Sequence, residues 1–173
     1  MIRSFRLREG HAGRAAAGSS PIRVLIADDH PLVRRIFRNH LNSCPDVFVV
    51  GEASSGSEIT DLVDRLSVNA VLLDVQIPGS DALATIRTLI ERDPSIVVVM
   101  LSAYDDPVFV SEAIASGARG YLLKSRSAGD LGSSLRLAVD GYTVIDDELI
   151  TRLVGRPRET GTAHPLARSI SST

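Results

Sequence analysis

Short, unbroken apolar runs alternate along this chain with stretches whose apolar positions recur every three to four residues. The runs are Ile22–Ala27 (centred on Val24, Leu25 and Ile26), Val47–Val50, Ala70–Asp74, Ile96–Leu101 and Gly120–Leu123. Continuous apolar runs of this length suit strands of a sheet covered on both faces, and that is a parallel sheet. Between them, Leu32, Val33, Ile36, Phe37 and Leu41 form a helical stripe opposite Arg34, Arg35, Arg38 and Asn39. Pro31 sits in the first turn of that helix, where its missing N–H costs nothing. Ile59, Leu62, Val63 and Leu66 fall at i, i+3, i+4 and i+7 of the next helix. Leu83, Ile86, Leu89 and Ile90 mark a third helix, stopped by Asp93-Pro94. Pro107 to Ser116 reads as a fourth, closed by Gly117, and Leu131, Leu135 and Ala138 mark a fifth, ended by Gly141.

Five strand–helix units in this order predict a doubly wound α/β domain with a five-stranded parallel sheet over residues 21–145. Residues 1–20 are rich in Arg, Ala, Gly and Ser and read as a flexible basic leader. Residues 146–154 read as a linker-like helix. Residues 155–173 are polar, Pro- and Gly-punctuated and without a period, and read as a disordered tail.

Composition narrows the class. The 173 residues are 44% hydrophobic and 23% charged, which is ordinary for a globular chain and excludes disorder or coiled coil as its main character. The longest aliphatic run, from Ile96 to Leu101, is far too short to span a bilayer. The basic N-terminus lacks an apolar signal-peptide core, so a cytoplasmic location is expected. Cys44 is the single cysteine, which excludes an intrachain disulfide and a cysteine-based metal site. The net charge of −2 hides basic ends around an acidic middle, and an acidic core is a poor binder of nucleic acid. Lys124 is the only lysine; every other fixed cation is arginine.

The candidate chemistry collects at the strand ends. Right-handed crossovers bring the carboxyl ends of parallel strands to one edge, where ligands bind at the reversal of strand order. The residues delivered there are Asp28-Asp29, Asp74, Ser102 and Lys124. Two unit charges ~4 Å apart repel by roughly 4 kcal/mol at an effective dielectric of ~20. Three carboxylates in one pocket therefore protonate in part or hold a divalent cation. An all-oxygen set with waters suits Mg²⁺ better than zinc. Lys124 adds a point charge for a phosphoryl oxygen, and Ser102 adds a donor. A carboxylate nucleophile, a hard cation, an amine and a hydroxyl are the parts of phosphoryl transfer onto an aspartate. Taken singly, each has a plainer reading: Asp28-Asp29 as a solvated turn or cap, Asp74 and Ser102 as turn residues, Lys124 as a surface charge. Their coincidence at one edge, with the sole lysine among them, favours the site. His30, beside the acids, reads as shaping the loop, since no second histidine stands at ligand spacing.

Asp28-Asp29-His30-Pro31, Val50-Gly51-Glu52-Ala53, Leu73-Asp74, Pro78-Gly79, Leu101-Ser102-Ala103 and Gly117-Ala118-Arg119-Gly120-Tyr121-Leu122-Leu123-Lys124 resemble the receiver domain of bacterial two-component response regulators, and in particular its NarL/FixJ subfamily. The resemblance runs from about Ile22 to Val154. It implies a flavodoxin-like (CheY-like) (βα)5 fold and phosphorylation of Asp74 by a sensor histidine kinase. It implies Mg²⁺ held by Asp29, by Asp28 largely through water, by Asp74 and by the backbone carbonyl of Gln76. Lys124 would contact the phosphoryl group, Ser102 would move toward it, and Tyr121 would turn inward. That motion would reshape the face made by the fourth helix, fifth strand and fifth helix, for a homodimer or a separate output protein. Catalysis would be limited to gain and loss of the phosphoryl group on Asp74.

The chain departs from the subfamily at Ile77, where methionine is common, at Ala82, where glycine usually stands, and at the Asp105-Asp106-Pro107 opening of the fourth helix. Gln76 and Tyr104 stand at positions that, by the resemblance, would influence acyl-phosphate lifetime. The residues after Val154 are too few for the helix-turn-helix unit usual in the subfamily, so a receiver-only regulator is expected, whether natural, truncated or frameshifted. Two rivals belong to other classes. A phosphatase of the haloacid dehalogenase kind would want a second acid where Gln76 stands. A DNA-binding regulator would have to use the basic tails, since no DNA binding is expected from the receiver itself. No Gly-rich loop follows the first strand, which disfavours a nucleotide-binding fold.

Overall fold

The computed structural model describes residues 2–5, 20–103, 106–125 and 129–153. Most of the expected leader, Tyr104, Asp105, Val154 and the expected tail lie outside the described residues. In chain order the elements are β1 (Ile2–Phe5), β2 (Ile22–Ala27), α1 (Pro31–Leu41), β3 (Val47–Ala53), α2 (Gly56–Leu66), β4 (Ala70–Asp74), α3 (Ala82–Arg92), β5 (Val97–Ser102), α4 (Pro107–Ala115), β6 (Gly120–Leu123), α5 (Leu131–Val139), β7 (Thr143–Asp146) and α6 (Asp147–Leu153).

The sheet runs β1-β7-β6-β5-β4-β2-β3. Its five expected strands are all present, parallel, and in the flavodoxin-like order, with the reversal between β2 and β4. The expected five-strand count is nevertheless too low: the sheet has seven strands. β7 adds in parallel to β6, and β1 pairs antiparallel with β7, Ile2 opposite Asp146. Residues 2–5 of the expected leader are thus part of the sheet. The linker-like helix is preceded by a strand that the sequence reading placed in no element.

Apolar residues cover both faces of the sheet, as continuous strands require. Leu25, Ala27, Val71, Leu73, Val98 and Met100 face one core with Ile59, Ile86, Leu89, Val110 and Leu149. Val24, Ile26, Leu72, Val99 and Leu101 face the other, with Phe37 and Leu41 of α1 and Leu131 and Leu135 of α5. Successive strand residues alternate between these two cores, the period-two pleat. Strand β3 runs three residues past Val50 because its register against β2 shifts, Val24 opposite Val49 but Leu25 opposite Gly51. This bulge carries β3 on to Ala53, whose carbonyl accepts the N–H of Asp28 at 3.1 Å.

Side-chain caps start the helices that frame the sheet's carboxyl edge. Asp81 accepts from the Ala84 N–H at 2.8 Å, and Asp106 accepts from the Val108 N–H at 2.9 Å. Pro31 and Pro107 open α1 and α4. The Pro78-Gly79 turn places Gly79 at φ 82°, which favours glycine, and the Pro78 carbonyl accepts the Gly56 N–H at 2.8 Å. No helix among the described residues is long and apolar enough to cross a membrane.

Candidate functional site

Asp28 and Asp29 follow β2 directly, and Asp74 ends β4, the neighbouring strand across the reversal point; Ala27 lies opposite Leu73. Chain direction alone therefore sets the three acids side by side. Lys124 follows β6, and its N–H donates to the Ser102 carbonyl at 2.8 Å, which continues the β5–β6 ladder past the strand end. From there its ammonium reaches back over β5 to lie 2.7 Å from Asp28 Oδ2 and 2.9 Å from Asp74 Oδ2.

Both carboxylates are buried, Asp28 at 0% and Asp74 at 2% exposure. Their Oδ2 atoms take the amine between them. Hydrogen bonding and charge attraction together hold the amine there. Burial pulls the lysine pKa down, but Asp28 and Asp74 together outweigh it and keep the amine above its usual range. The Oδ1 atoms are held differently: the His30 N–H donates to Asp28 Oδ1 at 2.8 Å, and the Gln76 N–H donates to Asp74 Oδ1 at 3.2 Å.

Donor atoms of Asp28, Asp29, His30 and Asp74 all lie within 4.8 Å of one another. Three carboxylates crowded into that space carry more negative charge than one ammonium neutralises. Such a cluster can hold a metal ion, and its oxygens suit a hard one.

The other sequence-predicted residues sit at the same edge or behind it. Ser102 is fully buried at the end of β5, one residue past Leu101, the register partner of Asp74. Gln76 follows Asp74 in the turn that leads to Pro78-Gly79. Tyr121 of β6 is buried, its ring edge-on to Phe109 of α4 with centroids 6.3 Å apart. It shares a core with Val110, Ala113 and Leu149, so α4, β6 and α6 meet around it.

Arg34, Arg38, Glu52 and His30, to which sequence reasoning gave no part in the chemistry, are placed around the acids. Arg34 donates to the Asp28 carbonyl at 2.5 Å and to Glu52 Oε2 at 3.0 Å, while Arg38 reaches Glu52 Oε1 at 2.8 Å. The i, i+4 spacing of Arg34 and Arg38 put both on one face of α1, and the second strand reads as ending near Glu52, but nothing local indicated that the two arginines would reach it. His30 turns its ring to the acids, with Nδ1 2.6 Å from Asp29 Oδ1 and 3.2 Å from Asp28 Oδ1.

Residues 24–136 match the family model described as the response regulator receiver domain. The nitrate/nitrite response regulator protein NarL of Escherichia coli K12 is 35% identical over 133 residues, 77% of this chain and 62% of that protein. The transcriptional regulatory protein LiaR of Bacillus subtilis is 34% identical over 142 residues, 81% of this chain and 66% of that protein. The chain thus matches a little under two thirds of the length of these curated relatives. Among solved structures, the signal receiver domain of the NarL regulator from Mycobacterium tuberculosis is similar with TM-score 0.67 at 30% identity, over 71% of this chain and 99% of that one. The isolated receiver domain of RcsB from Salmonella enterica serovar Typhimurium, with the phosphomimetic BeF3⁻, is similar with TM-score 0.70 at 26% identity, over 77% of this chain and 98% of that one. With its sheet order and its acid edge both in place, the chain belongs to the response regulator receiver domain family.

Proposed function

We propose that this protein is the phosphoacceptor of a two-component phosphorelay, with Asp74 as the residue that takes the phosphoryl group. One observation carries the reading: the sole lysine of the chain bridges two buried carboxylates, Asp28 and Asp74, at the carboxyl edge of the sheet. An amine held there is ready for a new anion, and the charge that phosphorylation adds arrives between a fixed cation and a cation-binding pair of acids.

In the transfer, an Oδ atom of Asp74 attacks phosphorus in line with the bond to the donor, the phosphohistidine of a sensor kinase. The Asp74 O–P bond forms as the P–N bond breaks, and the imidazole leaves with a proton from solvent. Lys124 exchanges part of its contact with the Asp74 carboxylate for a phosphoryl oxygen. Asp28, Asp29, Asp74 and the Gln76 backbone carbonyl would hold Mg²⁺, Asp28 largely through water. Bound there, Mg²⁺ supplies charge neutralisation of the phosphoryl oxygens. The only catalysis assigned to the chain is this gain of the phosphoryl group and its hydrolytic loss.

Ser102 and Tyr121 relay the change. Ser102 is buried one residue from the register partner of Asp74, and Tyr121 lies on the next strand against Phe109 of α4. A hydrogen bond from Ser102 to the phosphoryl group would favour one packing of the α4–β6–α5 face over another. The population shifts only by that difference in affinity. The partners we assign are a cytoplasmic sensor histidine kinase and, on the switched face, a second copy or an output protein.

The test is incubation of the full chain with Mg²⁺ and acetyl phosphate, followed by intact mass. One phosphoryl group is expected on the wild type and none on Asp74→Asn. A mass gain that survives Asp74→Asn refutes the assignment, as does no gain at all.

A further inference from the structure

His30 makes contacts that a loop-shaping residue does not need. It is the N-cap of α1, yet its side chain makes no capping hydrogen bond. An N-cap side chain normally accepts from a first-turn N–H. Here the ring turns away from the helix and sets Nδ1 2.6 Å from Asp29 Oδ1 and 3.2 Å from Asp28 Oδ1. The backbone is fixed on both sides of it. The His30 N–H donates to Asp28 Oδ1 at 2.8 Å, and Pro31 at the first helical position restricts the entry into α1.

These are hydrogen-bond and ion-pair distances, and they are also close to the spacing of adjacent ligands on one metal ion. In an octahedron with bonds of about 2.1 Å, neighbouring donor atoms are about 3 Å apart. Nδ1 and Asp29 Oδ1 already form an edge of about that size, with Asp28 Oδ1 3.2 Å from Nδ1 and placed to reach the ion through water. Asp74 offers a fourth donor within 4.8 Å of the rest. The amine and the imidazole also approach Asp28 at different oxygens, Lys124 at Oδ2 and His30 at Oδ1. The pocket is built for charge: Asp28 and Asp74 are buried, and a single ammonium serves both carboxylates at their Oδ2 atoms. The His30 side chain is 66% exposed, which leaves its side of the pocket open to entering ions and to water ligands.

We infer that His30 is a nitrogen ligand of the cation site, which makes that site a mixed nitrogen–oxygen centre able to take imidazole-seeking first-row transition metals. The inference rests on the proposed cation site of Asp28, Asp29 and Asp74 and concerns what that site selects. Sequence reasoning discounted His30 for want of a second histidine, but a mixed centre needs only one. Imidazole strengthens binding of nickel, cobalt and zinc far more than that of magnesium, which prefers oxygen and retains its water. With the metal on Nδ1, the ring keeps its proton on Nε2.

The experiment uses the full chain, His30→Ala, His30→Asn and Asp29→Asn, each checked for folding by circular dichroism. Mn²⁺ is loaded as a paramagnetic probe, and electron spin echo modulation reads any directly bound ¹⁴N. Titration calorimetry with MgCl₂ and NiCl₂ gives the two affinities. A ¹⁴N signal is expected in the wild type and absent in both His30 variants. Their Ni²⁺ affinity should fall by roughly tenfold or more, while Mg²⁺ affinity changes less than about threefold. Bound Mn²⁺ without a ¹⁴N signal overturns the inference and leaves the acid site standing. So does a signal that persists in His30→Ala, or an equal loss of both metals. Absence of Mg²⁺ and Mn²⁺ binding in the wild type, or binding unchanged in Asp29→Asn, overturns the acid site and the His30 inference with it.

Discussion

Replacing Lys124 with methionine removes the only ammonium that faces Asp28 and Asp74 while keeping the bulk of its stem. The contacts of 2.7 and 2.9 Å each correspond to a gross attraction of about 6 kcal/mol at an effective dielectric of ~20. Desolvation cancels much of this. Removing one partner of a buried pair leaves an uncompensated charge and costs about 3–5 kcal/mol. The Lys124 side chain keeps 15% exposure, so water reaches one side of it, and the expected loss is about 2–4 kcal/mol. With a urea m-value of about 2 kcal/mol/M, the midpoint falls by roughly 1–2 M. Far-UV circular dichroism is the readout, because the chain has no tryptophan.

The sign with pH is set by the raised lysine pKa. A folded pKa above the unfolded value of about 10.4 gives stability that is complete below that pH and is lost as pH rises through the folded pKa. The wild-type advantage over Lys124→Met should therefore hold at neutral pH and shrink in the alkaline range. Adding Asp74→Asn to Lys124→Met should recover a good part of the loss, since one buried carboxylate is gone. A loss below about 0.5 kcal/mol, the scale of an exposed pair, would refute the picture of a buried, amine-neutralised acid pair. A double variant no more stable than Lys124→Met would refute it too.

Other substitutions probe the supports of the site. Arg34→Ala frees the Asp28 carbonyl and leaves Glu52 with Arg38 alone; Mg²⁺ affinity by calorimetry should fall severalfold, with Glu52→Gln in the same direction but smaller. Leu149→Ala opens a cavity where α6 meets the core of α4 and Tyr121, and should cost about 2–4 kcal/mol in urea unfolding. An unchanged midpoint would mean that α6 does not dock. Arg136 donates to both oxygens of Asp46, at 2.6 and 2.5 Å, and holds its pKa below the usual range. A depressed carboxylate pKa stabilises above the unfolded value and is lost as pH falls through the folded one, so Asp46→Asn should cost about 0.5–1 kcal/mol at pH 7 and nothing in strong acid.

Local pattern decides much of this molecule. Five apolar runs and the helical stripes between them specify a parallel sheet with two covered faces, because only that arrangement buries such strands on both sides. Chain direction then forces every strand's carboxyl end to one edge, so Asp28, Asp29, Asp74, Ser102 and Lys124 could be grouped without coordinates. The two extra strands could not be read the same way. β7 is four residues long and leads straight into α6, and the segment Ile2–Phe5 finds its partner at the far end of the described chain. Pairing between distant segments leaves little trace in either one, since each alone is too short to bury a face. The site shows the same division. Side-chain type and strand position determined which acids meet the lysine. Only the tertiary structure decided that β3 bulges on its way to Glu52, that Arg34 ties it to Asp28, and that His30 faces the acids rather than its helix. Those contacts join separate elements through long side chains, and their geometry is set by how the elements pack.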